Sequence, residues 1–274
     1  MGINSHRVLL AVLVLSAIPI FCSGINGSSN DILLQGFHWK SHATHPWWEA
    51  VSRNAGQIAD SGITIVWLPP PSASAAVEGY LPNRLNVLDS AYGTKDQLKN
   101  AIASLKSNGV KAIADVVINH RVGTNDWADF TDPAWGADAV CRDDEWPGAQ
   151  GGADTGTGFN AGRDIDHNNT TVRDSLIQWM KMLKSDIGFD GWRYDYGRGY
   201  HASFVAMYNQ ATAPGFSVGE IWTDLDINNP DYHRQQICNW LDDADGLSAG
   251  FDFTTKGLLQ NAVSTGQYWR LKDR

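Results

Sequence analysis

Six short runs that are apolar at almost every position, separated by longer stretches of helical period, constrain this chain more than any other feature. They cover residues 31–37, 63–68, 110–118, 189–194, 216–222 and 250–253. A strand wetted on one face alternates apolar and polar residues, whereas one covered on both faces is apolar throughout, as in parallel sheets. Between the runs, Leu98, Ala101, Ile102 and Leu105 recur at i, i+3, i+4 and i+7, and so do Leu176, Trp179, Met180 and Leu183. Thr94 with Gln97 makes a capping-box start for the first of these helices, and Gly109 makes a natural stop. Strands alternating with helices in this way imply a parallel α/β sheet, open or closed into a barrel.

One stretch breaks the rhythm. Residues 121–169 show little periodicity and are rich in Gly, Asp and Trp. A loop of that length inside a compact domain is usually functional. It follows a strand ending in Asn119-His120, so it leaves from the C-terminal edge of the sheet, the face on which barrel enzymes carry their sites.

Three segments put polar groups where an apolar strand emerges: Asp115-Val116-Val117-Ile118-Asn119-His120, Gly191-Trp192-Arg193-Tyr194-Asp195 and Gly219-Glu220-Ile221-Trp222. A lone carboxylate at a strand end is more often a helix cap or a solvated charge; three such segments in order are harder to dismiss. Residues i and i+2 of a strand share a face, so Arg193 and Asp195 are expected side by side. A guanidinium there is expected to lower the Asp195 pKa and keep it ionised.

Charge and composition narrow the partners. The formal net charge is −9, which argues against nucleic acid or an anionic membrane surface. Twelve Trp and eight Tyr suit stacking on flat ligands such as sugar rings, though aromatic residues also fill cores. At the N-terminus, His6 and Arg7 precede an apolar run from Val8 to Phe21 and then the small residues Cys22, Ser23 and Gly24, the pattern of a cleaved signal peptide over residues 1–24. Secretion is the expectation. Of the cysteines, Cys141 and Cys238 would then remain, enough for one disulfide and too few for a framework.

Taken together, the strand-end segments resemble the α-amylase superfamily of glycoside hydrolases, most closely its plant-type α-amylases. Further matching segments are Gln35-Gly36-Phe37-His38-Trp39, Val66-Trp67-Leu68-Pro69-Pro70-Pro71, Glu78-Gly79-Tyr80-Leu81-Pro82, Cys141-Arg142-Asp143-Asp144, Asp164-Ile165-Asp166-His167 and Phe251-Asp252-Phe253-Thr254-Thr255-Lys256-Gly257. The resemblance runs from about residue 31 to the C-terminus and implies a (β/α)8 TIM barrel, here incomplete with about six of eight strands. Barrel parts would occupy 25–118 and 170–274, with a loop-rich calcium-binding domain, 119–169, inserted after the third strand.

The resemblance also implies an activity: endo-hydrolysis of α-1,4-glucosidic bonds in starch or maltooligosaccharides by a monomer. Asp195 would be the nucleophile and Glu220 the general acid/base of a retaining mechanism, in which two carboxyls about 5–5.5 Å apart flank the scissile bond. Glu220 has to stay protonated near neutral pH, which asks for burial and a nearby negative charge. Tyr80, His120, Arg193 and Trp222 would contact substrate. Calcium would be held by Asn119, Asp154 and Asp164 with the backbone carbonyls of Thr157 and Gly199, an all-oxygen set that suits this ion. Plant enzymes hold further calcium ions in this loop domain, but here Gly158 stands where a ligand Asp is expected. The family's third carboxylate, in a Val-Asp-Asn-His-Asp-like segment ending a seventh strand, has no counterpart in residues 1–274, and Asp252 ends the sixth strand instead. The expectation is therefore a chain cut from a longer enzyme, with little activity of its own; the alternative is an inactive amylase-like protein that at most binds glucan.

Overall fold

The computed structural model describes residues 30–44, 46–123 and 129–271. The signal segment read at 1–24 lies outside them. Six parallel strands form one sheet: β1 (Leu33–Gln35), β2 (Ile65–Leu68), β3 (Lys111–Val116), β4 (Gly191–Tyr194), β5 (Phe216–Gly219) and β6 (Ala249–Gly250). They lie side by side in chain order. Each strand is followed by a helix: α1 (Trp47–Asp60), α2 (Lys95–Ser107), α3 (Thr170–Met182), α4 (Ala202–Thr212), α5 (Pro230–Asp243) and α6 (Phe253–Thr265). An order that never reverses keeps every crossover on the same side, so the sheet curls with helices outside and strands inside, a half-barrel.

Period-2 alternation sorts the strand residues onto two cores. Val66, Leu68, Ala112, Ala114, Val116, Trp192 and Tyr194 face outward and pack with the helices in the larger cluster. Phe37, Ile65, Trp67, Ile113, Phe216 and Val218 face inward and form a smaller one. The inner row continues into charge, with Asp115 and Arg193 on the same face and paired in register between β3 and β4. Gly191 begins β4 because a Cβ there would run into the backbone of Phe216 on the neighbouring strand.

The strands are shorter than the apolar runs. β5 stops at Gly219, leaving Glu220 just past its end, and β6 stops at Gly250, so Asp252 does not end a strand. Asp252 instead caps α6, its side chain accepting from Thr255 N at 2.8 Å. The capping box of Thr94 and Gln97 is present on α2, and Gly109 follows that helix with φ +76°. Between β3 and α3 the described residues make short antiparallel pairs, Phe130–Thr131 with Ala134–Trp135 and His120–Arg121 with Arg163–Asp164, and one 3-10 turn, Ala137–Ala139. Cys141 is buried and Cys238 exposed, both as free thiols, so the possible disulfide is not formed. No helix among the described residues is long and apolar enough to cross a membrane.

Candidate active site and cation-binding loops

Arg193 is the hub at the C-terminal edge of the sheet. Its Nη1 donates to Asp115 Oδ1 at 2.7 Å and to Asp195 Oδ1 at 2.6 Å, and its Nη2 lies 2.8 Å from Glu220 Oε2. The guanidinium is 3% exposed and sits 4.5 Å from the centre of the Trp67 ring. The planar fork holds Asp195 and Glu220 on adjacent nitrogens, which fixes the two carboxylates relative to each other.

Burial sets the protonation of this cluster. Glu220 is pushed up from the usual carboxylate range, chiefly by burial and further by the charge of Asp195, with Arg193 pulling the other way. That is the direction a general acid needs. Asp195 differs from expectation. Burial raises it, and the opposing charge and hydrogen bond of Arg193 do not reverse this. Asp115, fully buried, is pushed up to about 7 by burial against the pull of Arg193.

Asp115 is the residue that motif reading passed over. Besides Arg193 it accepts from Trp67 Nε1 at 3.0 Å and from the Tyr80 hydroxyl at 2.8 Å. Its sequence signals are its place at the head of the first strand-end segment and its position two residues after inward-facing Ile113; the register that sets it opposite Arg193 is a tertiary fact.

The expected substrate contacts divide. Trp222 is 53% exposed beside Glu220, with Lys256 Nζ 5.4 Å from its ring centre, and it lines a groove of about 170 Å3 with Leu225, Phe253 and Lys256. Tyr80 is half-buried and already stacked, its ring parallel to that of exposed Trp39 with centroids 5.9 Å apart. Trp39 is thus a second aromatic face that was not singled out. His120 is held by the protein on every side. It is 1% exposed, Nε2 bonds the Tyr80 carbonyl at 2.8 Å, Nδ1 meets Asn119 Nδ2 at 3.3 Å, and Phe159 stacks on its ring at 3.9 Å. Burial pushes its pKa down to about 4, so it is neutral and spoken for by the protein.

Of the expected cation ligands, Asn119, Asp164 and Gly199 are in contact, and the turn that carries Asp154 and Thr157 packs beside them. Asn119 Nδ2 donates to Asp164 Oδ1 at 3.2 Å, and Gly199 lies against Asn119 Oδ1, which is buried without a hydrogen-bond partner. Gly156 presses on the backbone of Gly199, and Thr157 N donates to Arg198 O at 3.1 Å, so the 154–157 turn is clamped to the loop after β4. Asp154 Oδ1 accepts from Thr155 N and Gly156 N at 2.6 and 3.1 Å. Burial, then the charges of Glu145 and Asp154, push Asp164 up to about 8. An orphaned buried oxygen beside carboxylates that repel one another fits a hard cation.

That loop also reaches the carboxylates. Tyr196, at φ +46°, donates from its backbone N to Glu220 Oε2 at 3.2 Å and from its hydroxyl to Gly158 O at 2.9 Å.

Comparison with known proteins agrees with this geometry. Residues 49–143 match the family model described as alpha amylase, catalytic domain. The chain is 43% identical over 257 residues to "Probable alpha-amylase 2" of Arabidopsis thaliana, covering 89% of this chain and 61% of that protein. It is 37% identical over 259 residues to "Alpha-amylase 3, chloroplastic" of the same plant, covering 90% of this chain and 29% of that one. It thus spans less than two thirds of either relative. Among solved structures, the acarbose-complexed α-amylase from Geobacillus thermoleovorans superposes with a TM-score of 0.61 at 22% identity, over 78% of this chain and 46% of that one, which supports the barrel fold. Residues 49–143 thus match an α-amylase catalytic domain, and about nine tenths of the chain is similar to plant α-amylases.

Proposed function

We propose that the protein hydrolyses internal α-1,4-glucosidic bonds of starch and maltooligosaccharides with retention of configuration, Asp195 acting as nucleophile and Glu220 as acid/base. One observation carries this reading: the Arg193 fork holding both carboxylates at the ends of β4 and β5. In the first step Glu220 gives its proton to the glycosidic oxygen while Asp195 bonds to the sugar carbon. In the second, Glu220 takes a proton from water, which displaces Asp195. Trp222, beside Glu220, offers the leaving-group side a flat apolar face.

Calcium is the cation we assign to Asn119, Asp154 and Asp164 with the Thr157 and Gly199 carbonyls. When bound it would tie the inserted domain, 119–169, to the loop after β4, and its role is to hold that loop rather than to react. Residues 1–24 support export of the protein, and starch outside the cell is the matching substrate.

The test is 1H NMR of fresh products when the native protein cuts a blocked maltoheptaoside. The expected first product is the α-anomer, and Asp195→Asn and Glu220→Gln should each lower kcat at least a thousandfold. A β-anomer, or full activity in either variant, overturns the assignment. A second reading, glucan binding without hydrolysis, is favoured by the exposed aromatic faces of Trp39 and Trp222. It holds if the 274-residue chain binds maltoheptaose but releases no reducing ends.

A further inference from the structure

We infer that Tyr196 is a positioning residue for Glu220: its side chain, fastened to the loop between β3 and α3, holds a backbone N–H against Glu220 Oε2 and so leaves Oε1 to carry the proton. The inference deepens the hydrolytic reading above and rests on it.

Tyr196 follows Asp195 directly, and its backbone is unusual. Its φ is +46°, in the left-handed region that an aromatic residue adopts only where its surroundings over-determine it. In that conformation its N–H reaches Glu220 Oε2 at 3.2 Å. What holds the turn is the side chain. The hydroxyl donates to Gly158 O at 2.9 Å, the ring meets Phe159 edge-on with centroids 5.1 Å apart, and the Arg198 guanidinium lies 5.0 Å from the ring centre. Gly158 stands 38 residues earlier in the chain, so a strained residue beside the reacting carboxylates is tied by one hydroxyl to a distant loop.

The Glu220 backbone is held separately. Its N donates to Tyr194 O at 3.0 Å, and its O accepts from Gly197 N at 2.8 Å. Those bonds fix where the side chain starts, not which oxygen is engaged. The carboxyl meets two donors, Arg193 Nη2 at 2.8 Å and Tyr196 N at 3.2 Å, and both fall on Oε2. Donors to a carboxylate favour its charged form, so an oxygen that already accepts from two N–H groups is the poorer place for a proton. The transferable proton therefore belongs on Oε1, and Tyr196 helps to keep it there.

The test follows Glu220 itself, by carbon-13 NMR of the glutamate-labelled 274-residue chain. Its carboxyl resonance is the one missing from Glu220→Gln. Tyr196→Phe keeps the ring against Phe159 and loses only the hydroxyl tie. It should move the Glu220 titration midpoint upward by about half a pH unit, because one donor to the charged form is loosened. Arg193 and Asp195 from the end of β4, and Asp115 from β3 behind Arg193, face the same carboxyl and are unaltered in this variant. Asn169→Ala, a destabilising change at the start of α3, should leave the midpoint where it is. In the wild type the Tyr196 amide resonance should titrate with Glu220, and in Glu220→Gln it should not. An unmoved midpoint in Tyr196→Phe, an equal shift in Asn169→Ala, or a Tyr196 amide indifferent to Glu220 overturns the inference. None of these readouts needs substrate, so wild-type protein that leaves a blocked maltoheptaoside uncut sinks the hydrolytic reading separately. Where it does cut, the high-pH limb of kcat should rise in Tyr196→Phe while KM changes less than about twofold. A limb that stays put refutes the positioning role.

Discussion

Arg193 is a single cation serving Asp115, Asp195 and Glu220, and most of what the site can do follows from that ratio. Replacing it leaves buried carboxylates unpaired, so Arg193→Gln should cost about 3–5 kcal/mol of stability, read from urea midpoints; an unchanged midpoint would mean the fork is not holding the cluster. Asp115 gives a pH signature. Its folded pKa, about 7, lies above the unfolded value near 4, so its contribution is fully present below pH ~4 and is lost as pH rises through 7. His120 and His167, pushed down by burial to about 4 and about 3, act oppositely: their contribution is present above pH ~6.5 and is lost as pH falls through those values. The difference in urea midpoint between wild type and Asp115→Asn should therefore change steadily from pH 4 to 7, with the wild type losing ground as pH rises. A flat difference would mean Asp115 is not carrying the proton. At this scale the sequence was legible where chemistry follows local geometry. Arg193 and Asp195 share a face because strands have period 2. The cover over His120 was not legible, because Phe159, which stacks on it, arrives from a loop with no period to read.

The elements were legible in proportion to how one-sided their burial is. α2 and α3 bury single stripes, Leu98–Ala101–Ile102–Leu105 and Val172–Leu176–Trp179–Met180, and both stripes stand out in the sequence. α4 also buries one face, including Ala202, Val205, Ala206 and Asn209 at i, i+3, i+4 and i+7, but Asn209 and Thr212 on that face are polar while apolar Phe204 and Met207 lie off it, which blurs the stripe. α6 hides Leu258 and Ala262 while leaving Leu259 and Val263 half exposed, which blurs its pattern from the other direction. The strand runs were read too long because apolar residues continue past the last ladder bond into the turns that aim Glu220 and Trp222. Caps were read unevenly: Thr94 was found by its capping box, whereas Asn169, inside a sequon, turns out to accept from Thr171 N and Val172 N at the start of α3 and to donate Nδ2 to Asp138. Asn169→Ala should lower stability by about 1 kcal/mol, measured by chemical denaturation. No loss would show that the α3 start is held by its packing alone.

At the scale of the whole molecule, the described residues leave the sheet open at β1 and β6. Apolar surface lies near both ends: a cavity of about 400 Å3 lined by Leu34, Phe37, Trp47 and Ile58 on one side, and exposed Tyr268 and Trp269 after α6 on the other. Unpaired edges template further pairing. Amide hydrogen exchange should therefore be slowest in β3 and β4, each paired on both sides, and fastest in β1 and β6. Equal protection across all six strands would mean the edges are covered in solution, by self-association or otherwise. Because the strands never reverse direction, their two ends carry different duties. The ends where Asp195 and Glu220 emerge are committed to charge, strain and ligand exchange. The opposite ends, around Ile63, Val110 and Gly215, carry none of these groups. An engineer seeking a sturdier protein can therefore work along that second rim, refining turns and packing, with little risk to the chemistry one strand-length away.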